Sequence, residues 1–389
     1  MADTTWSYPG DTTYTALIPI YWDKQLAQYE ADAAYWDKFT GKEGSGSPII
    51  KKTQLGKEAG DQIKIGMQGF LTNDGIYGDA TLEGSEEALL FYDQAVYVNQ
   101  MRNAIVDVGK MSQQRDNYGL HERAVRALGE WYGRQRSAMI FHTIYYGWPP
   151  HISCTTGNGG YAINSAVAKA PRYWYCADEA NNVVTYSATD ATYNASIIAA
   201  EQNLADTETD WMSPDIVDGL VAKAKVQNIK PMTIEGMEAY LMVIHPYQEA
   251  QLRTHDNWFN AMMNAAPRDL RTNPIFKGSL GYWNGVVFHV SNQVHSGDPT
   301  AIKSAPTIDA SAANVRRAIF MGSDAVAYAV AEDAHIEVKK DFDYNNQRGE
   351  AVAGIWGAVR AEYTSDDGNS TVVSQGIQVV STYSPAAVV

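Results

Sequence analysis

The stretch from Gly60 to Gly147 joins two elements that seldom adjoin, and it restricts the folds open to this chain more than any other feature. Residues 60–98, GDQIKIGMQGFLTNDGIYGDATLEGSEEALLFYDQAVYV, alternate loosely around many glycines and acids. Ile63 and Ile65 alternate with polar neighbours, Asn73-Asp74-Gly75 is a turn signal, and Val96 and Val98 alternate again, which predicts strand, turn, strand. So many glycines cost entropy on ordering, so the ribbon between the strands is most stable where a partner surface fixes it. Directly after it comes RDNYGLHERAVRALGEWYGRQRSAMIFHTIYYG, a basic helical segment longer than an average globular helix. Ser112 or Asp116 can cap its first turn, and Gly147 with Pro149-Pro150 stops it. Leu120, Ala124, Ala127, Trp131, Ala138 and Tyr145 mark one stripe. About thirty helical residues span roughly 45 Å. A projecting ribbon on a long rod suits a chain that grips copies of itself better than one that encloses a substrate.

Charge separates the two elements. The ribbon carries Asp79, Glu83, Glu86 and Glu87; the helix carries Lys110, Arg115, Arg123, Arg126, Arg134 and Arg136 against Asp116, Glu122 and Glu130. A solvated basic face is the default explanation of such a run. The acidic ribbon beside it adds a functional alternative, a complementary contact between copies. Its candidate residues are Asp79, Glu83, Glu86, Glu87, Arg115, Arg123, Arg126 and Arg134.

Composition then excludes several classes. The 389 residues suffice for two or three compact units, and 45% hydrophobic with 19% charged residues describes a globular chain. No apolar run approaches the ~18 residues of a membrane span, and the N-terminus lacks the basic and apolar regions of a signal peptide, so intracellular synthesis is expected. A net charge of −15 repels nucleic acid overall, which argues against a sequence-reading binder. The 24 Tyr and 10 Trp suit protein–protein surfaces, although core packing accounts for many of them. Cys154 and Cys176 are too few for a disulfide framework or a zinc site; two buried thiols are expected, with a mutual bridge the alternative.

Along the chain, residues 1–57 read as an arm. Tyr21–Phe39 shows helical spacing at Leu26, Tyr29, Ala33, Trp36 and Phe39, followed by the breaker run GKEGSGSP at Gly41–Pro48. Residues 148–206 are rich in Tyr, Asn, Thr and Gly and read as a local insertion, with surface exposure as its natural setting. Asp215–Val226 and Gln248–Ala265 read as helices. Tyr240–Ile244 is a short apolar strand ended by His245-Pro246, and Gly285–Val290 and Arg317–Met321 are buried strands. Ile336–Val338, Gly354–Glu362 and Ile377–Thr382 are strand-like. The mixture is an α+β unit.

Catalytic and metal motifs stay at background. His121-Glu122 begins a zinc-protease pattern whose second histidine position holds Val125, and His142 lies 21 residues from His121. His245 and His255 have no Cys or carboxylate cluster beside them. Gly41-Lys42 lacks the following Ser or Thr of a phosphate loop, and no G-x-S-x-G elbow occurs. The expectation is no catalytic site, no metal and no cofactor.

The same blocks, in order, resemble a branch of the tailed-bacteriophage major capsid proteins. The ribbon and helix lead. AYLMVIHPYQEAQLRT (Ala239–Thr254), NPIFKGSLGYWNGVVFHVSNQV (Asn273–Val294), VRRAIFMGSDAVAYAV (Val315–Val330) and FDYNNQRGEAVAGIWG (Phe342–Gly357) follow. The resemblance implies the HK97-like capsid fold, α+β, with an N-terminal arm, an extended β-hairpin loop, a peripheral domain with a long spine helix, and an axial domain. It places the arm at 1–57, the loop at 58–100, the peripheral domain at 101–147 and 335–389, and the axial domain at 148–334. It implies a shell of hexamers and pentamers of this chain around double-stranded DNA held without sequence-specific binding. Separate scaffolding, portal and decoration proteins are its expected partners, with no membrane, synthesis in the bacterial host cytoplasm and residence in the virion. An encapsulin-like cellular shell and an acidic carbohydrate-acting enzyme with its site in residues 148–206 are the alternatives.

Overall fold

A computed structural model describes residues 26–30, 33–54, 60–68, 75–78, 81–84, 86–87, 91–107, 109–115, 120–152, 170–177, 184, 190–234, 237–264, 280–295, 314–342, 346–364, 372–374 and 376–385. In chain order its strands begin with β1 (Thr40–Gly41), β2 (Ile49–Lys52), β3 (Gln62–Gln68), β4 (Phe91–Tyr97) and β5 (Asn99–Val106). Helices α1 (Lys110–Arg115) and α2 (Leu120–Tyr146) follow, then β6 (Tyr173–Cys176), α3 (Asp190–Gln202) and α4 (Pro214–Val226). Next come β7 (Met232–Ile234), β8 (Met237–Ile244), α5 (Pro246–Thr254), α6 (Asp256–Asn264), β9 (Gly281–Trp283) and β10 (Val286–Val290). The chain ends with β11 (Val315–Met321), β12 (Val326–Phe342), β13 (Gln347–Arg360), β14 (Glu362–Thr364), β15 (Val372–Ser374) and β16 (Ile377–Tyr383).

Two sheets carry the structure. One has the order β1-β2-β12-β13-β5, built on the long antiparallel pair β12 and β13. The other has the order β6-β16-β11-β8-β10-β9, with β7 on β8. In this second sheet the strands are apolar without alternation because both faces are covered. Leu241 and Val243 of β8 point into the cluster that holds Ile144 and Tyr145 of α2, while Tyr240, Met242 and Ile244 join Val217, Leu220 and Val221 of α4. Ser213 caps α4 by accepting from the Ile216 N–H, Pro214 fills its first position, and Lys223 and Lys225 sit in its last turn.

The ribbon and the rod form as the periodicity predicts. β3 and β4 pair antiparallel with Ile63 opposite Val96, and α2 runs for 27 residues before Gly147 takes a left-handed φ of 90°. The Asn73-Asp74 part of the turn signal lies outside the described residues.

Five expectations are corrected. Tyr21–Phe39 is not one helix: among its described residues a helical stretch at 26–30 gives way to a 3-10 turn at Asp37–Phe39, because Trp36 and Phe39 turn in against Phe141 and Trp36. The buried face of α2 is Val125, Leu128, Tyr132, Phe141, Ile144 and Tyr145, with Ala127 exposed. Gln248–Ala265 breaks at His255, whose extended backbone (ψ 127°) ends α5 before Asp256 starts α6. Within 148–206, the described strand β6 is no surface decoration: it pairs with β16 inside the second sheet and buries Trp174 and Cys176. Ile377–Thr382, expected with the peripheral unit, also joins that sheet through β11 and β6.

Candidate assembly surfaces

The ribbon is rooted by its inner face. Ile63, Ile65, Val96 and Val98 pack on Ala327, Ala329, Val359 and Ala361 of the first sheet. Gln94 locks the root, its amide donating to the Arg360 carbonyl (2.9 Å) and accepting from the Glu362 N–H (3.1 Å). Arg360 in turn donates to the Ile144 carbonyl at the end of α2 (2.9 Å) and pairs with Glu362 (2.8 Å), placing a cation on the helix C-terminus. Ribbon root and rod end are thus held by one pair of residues.

Tyr77 is 80% exposed and Leu82 63% exposed, among the most exposed large apolar side chains described. Gly75, Gly78 and Gly84 all take positive φ, and a Cβ built on any of them meets nothing within 4 Å. Of the acidic candidates, Glu83 and Glu86 are exposed, Glu87 is partly buried, and Asp79 lies outside the described residues. Glu86 accepts from the Gly84 N–H at 2.8 Å, a local turn contact.

On the rod, Arg123, Arg126 and Arg134 are exposed, and the Arg115 side chain lies outside the described residues. Arg126 pairs with Glu130 one turn on (Nε to Oε1, 2.8 Å) and lies over the Tyr29 ring. Among the described contacts of these candidates, Glu86 meets the Gly84 N–H and Arg126 meets Glu130.

Sequence reasoning missed how the arm docks. Gly129 and Gly133, four apart on α2, open a groove in which the arm backbone lies. A Cβ at 133 would stand 2.6 Å from the Glu30 carbonyl oxygen, and one at 129 would stand 2.9 Å from Tyr29 Cβ. Arg136 pairs with Glu30 and forks onto both oxygens of Asp37 (2.7 and 2.6 Å), and the Tyr35 N–H donates to Ser137 Oγ (2.9 Å). Leu26, Trp36 and Phe39 are fully buried. The G-x-x-x-G spacing was the available signal.

Beside this joint lies a concavity of about 830 Å³ between the arm, α2 and the turn after β10. Tyr29, Ala33, Ala34 and Tyr35 line it together with Lys38, Arg126, Glu130 and Arg134. Burial holds the Lys38 ammonium below its ordinary value.

A buried polar network ties α3 to the second sheet. Arg317 of β11 forks onto Glu201 of α3 (2.8 and 2.6 Å), Ser381 donates to Glu201 (2.6 Å), and the Trp174 indole donates to Ser381 (2.9 Å). Tyr145 of α2 donates to the Arg317 carbonyl (2.6 Å) and stacks on His295. Burial, then the Arg317 charge, pushes His295 down to about 3. Burial pushes the Cys176 thiol up, and the protein makes no disulfide there; Cys154 lies outside the described residues. Among the described residues no three His, Cys, Asp or Glu side chains gather as metal ligands, and no helix is long and apolar enough to cross a membrane.

Comparison with known proteins follows this geometry. A family model described as phage capsid protein matches residues 17–386. The major capsid protein of Pseudomonas phage KPP25 is 26% identical over 362 residues, covering 90% of this chain and 91% of that one. The capsid of Ralstonia phage GP4 superposes with a TM-score of 0.65 at 25% identity, over 90% of this chain and 91% of that chain. The cyanophage Pam1 capsid does so with a TM-score of 0.65 at 18% identity, over 91% and 93%.

Proposed function

We propose, from the premise that this chain belongs to the phage capsid protein family and forms the HK97-like head shell of a tailed phage, how its elements divide the work of assembly. The chain self-assembles, and its place is the virion. The sheet of β5, β12 and β13 with α2 is the peripheral domain, and the sheet of β8, β11 and β16 is the axial domain at the centre of each hexamer or pentamer. The β3–β4 ribbon is the extended loop that reaches a neighbour, and the docked arm stiffens the rod that receives it.

The observation that carries this reading is the ribbon itself: rooted by four buried apolar residues, it leaves Tyr77 80% and Leu82 63% exposed. Exposed tyrosine and leucine side chains on a projecting ribbon suit a protein–protein interface. Contacts between Glu83, Glu86 or Glu87 and the arginines of a neighbour's α2 set register more than strength, since exposed ion pairs are worth roughly 0–1 kcal/mol.

The role is structural and not catalytic. The charge of −15 supports an inner wall that lets packaged DNA slide without sequence-specific binding. A separate scaffolding protein, a portal and decoration proteins complete the head, and synthesis takes place in the host cytoplasm. The test is to purify the protein with and without a scaffolding protein and image it by electron microscopy. Closed shells of hexamers and pentamers are expected; a product that stays monomeric under both conditions refutes the division of work proposed here.

A further inference from the structure

Two histidines flank the point where the rod α2 meets the second sheet. His295, 3% exposed, lies after β10 with its ring stacked 4.5 Å from that of Tyr145. The rings of Tyr146 and His142 stand 5.5 and 6.4 Å away, and all three neighbours belong to the last turns of α2. From β11, the Arg317 backbone N–H donates to the His295 carbonyl (3.2 Å), and Arg317 Nη1 donates to the Tyr146 hydroxyl (3.5 Å), which stands 3.5 Å from His295 Nδ1. From α3, Glu201 supplies a carboxylate, but both of its oxygens are engaged, one by Arg317 Nη2 and the other by Arg317 Nε and Ser381. Burial raises the phenols of Tyr145 and Tyr146 above their ordinary value, so neither adds a negative charge. His142 Nδ1 lies 2.9 Å from the Trp148 carbonyl, which only accepts, so its Nε2 is the nitrogen left to take up a proton.

A proton on His295 puts an imidazolium beside the Arg317 guanidinium, with His142 the next group to charge and Glu201 already paired. Like charges in a buried site of low dielectric repel strongly, and water cannot reach them while the site stays closed. We infer that His142 and His295 form an acid-operated release between the rod and the second sheet: on taking up protons they part the end of α2 from β11, while the ribbon root and the docked arm keep their contacts. Neutralisation reverses it, since the closed site needs uncharged rings. In a shell the rod then has a hinge that is locked at neutral pH and free in acid.

The direction follows from which state binds the protons. Above about pH 6.5 the rings are neutral whether the site is closed or open, and the contact is at full strength. Below it only the open site takes them up, because burial and then Arg317 hold His295 down to about 3, and burial lowers His142. Each histidine then multiplies opening about tenfold per pH unit.

The test is hydrogen exchange on the full-length protein in assembled shells, stepped from about pH 7 to about pH 4 and corrected for the intrinsic pH dependence of exchange. Peptides covering 140–147, 291–295 and 315–321 are expected to open first and to close again on neutralisation. His142→Gln or His295→Gln alone halves the rise on a logarithmic scale, and the double variant abolishes it. His151→Gln, whose ring lies 4.4 Å from that of Trp356 on β13, leaves the rise unchanged. Opening of 26–40, 62–68 or 91–97 at the same pH as the end of α2, or a rise that survives in the double variant, overturns the inference. If the double variant does not fold, the order of opening in the unaltered protein decides alone. The same order is expected in the unassembled chain, so a failure to form shells bears on the proposed function and not on the release.

Discussion

Replacing Gly133 by alanine sets two effects of opposite sign against each other. In a free helix the change adds about 1 kcal/mol of stability, because alanine loses less backbone freedom and shields the helix. On α2 the new Cβ would stand 2.6 Å from the Glu30 carbonyl oxygen and 2.9 Å from Ala33 Cβ. The nearer atom is backbone, so no side-chain rotation relieves it. The arm cannot slide freely either, being fixed by buried Leu26, by Arg136 on Glu30 and Asp37, and by Ser137 on the Tyr35 N–H. Overpacking of this kind costs ~1–3 kcal/mol, and lifting the arm also exposes Leu26, worth ~1.5–3 kcal/mol. The clash wins: the propensity gain is the same with the arm docked or lifted, so docking weakens by about 1–3 kcal/mol, roughly a five- to 150-fold rise in opening. Hydrogen exchange on peptides spanning residues 26–40 of assembled shells measures that rise directly. Gly219→Ala on α4 is the control, since a Cβ there meets nothing within 4 Å and the same substitution should stabilise by up to about 1 kcal/mol. Slower exchange in Gly133→Ala, or an effect matching that of Gly219→Ala, would refute the argument that the groove seats the arm.

Three further outcomes are expected. Arg317→Met strands the Glu201 carboxylate, which is 1% exposed, and should cost ~3–5 kcal/mol by calorimetry, whereas Arg317→Met with Glu201→Leu should recover most of the loss; equal losses in both would contradict the pairing. Acid should weaken the fold through His295 and His151, held by burial at about 3 and about 4 against an unfolded value near 6.5. Both are neutral in either state above that value, so their contribution is complete there; as pH falls from about 6.5 toward about 4 only the unfolded chain takes up the protons, and stability drops by about 1.4 kcal/mol per pH unit for each. Urea midpoints across that range check it, and an unaltered slope in His295→Gln would count against it. Gln94→Ala removes the partner of the Arg360 carbonyl and the Glu362 N–H, and should destabilise the ribbon root by ~1–3 kcal/mol; exchange confined to 62–68 and 91–97 should report it, with unchanged protection there as the contrary result.

What the sequence disclosed and what it hid divide along the range of the interactions involved. The ribbon and the rod were legible because their causes are local: alternation at Ile63, Ile65 and Val96 for one, and Gly147 with its following prolines for the other. Their sheet partners were not, because pairing is set by residues far away. β16 lies beside β6 and β11, its buried run Ile377–Thr382 pairing parallel with one and antiparallel with the other. The face of α2 was misjudged for a different reason. Arg136 reads as solvent-facing, yet it sits between Tyr132 and Ile140 in the buried stripe, its charge answered by Glu30 and Asp37 from the arm. Gly129 and Gly133, which count as helix weaknesses in a propensity sum, are where another backbone comes closest. The acidic and basic candidates were chosen by charge alone, and charge alone cannot say who the partner is. Among the described contacts Arg126 is answered by Glu130 and Glu86 by the Gly84 N–H, while exposed Tyr77 and Leu82 offer the apolar area that exposed ion pairs lack.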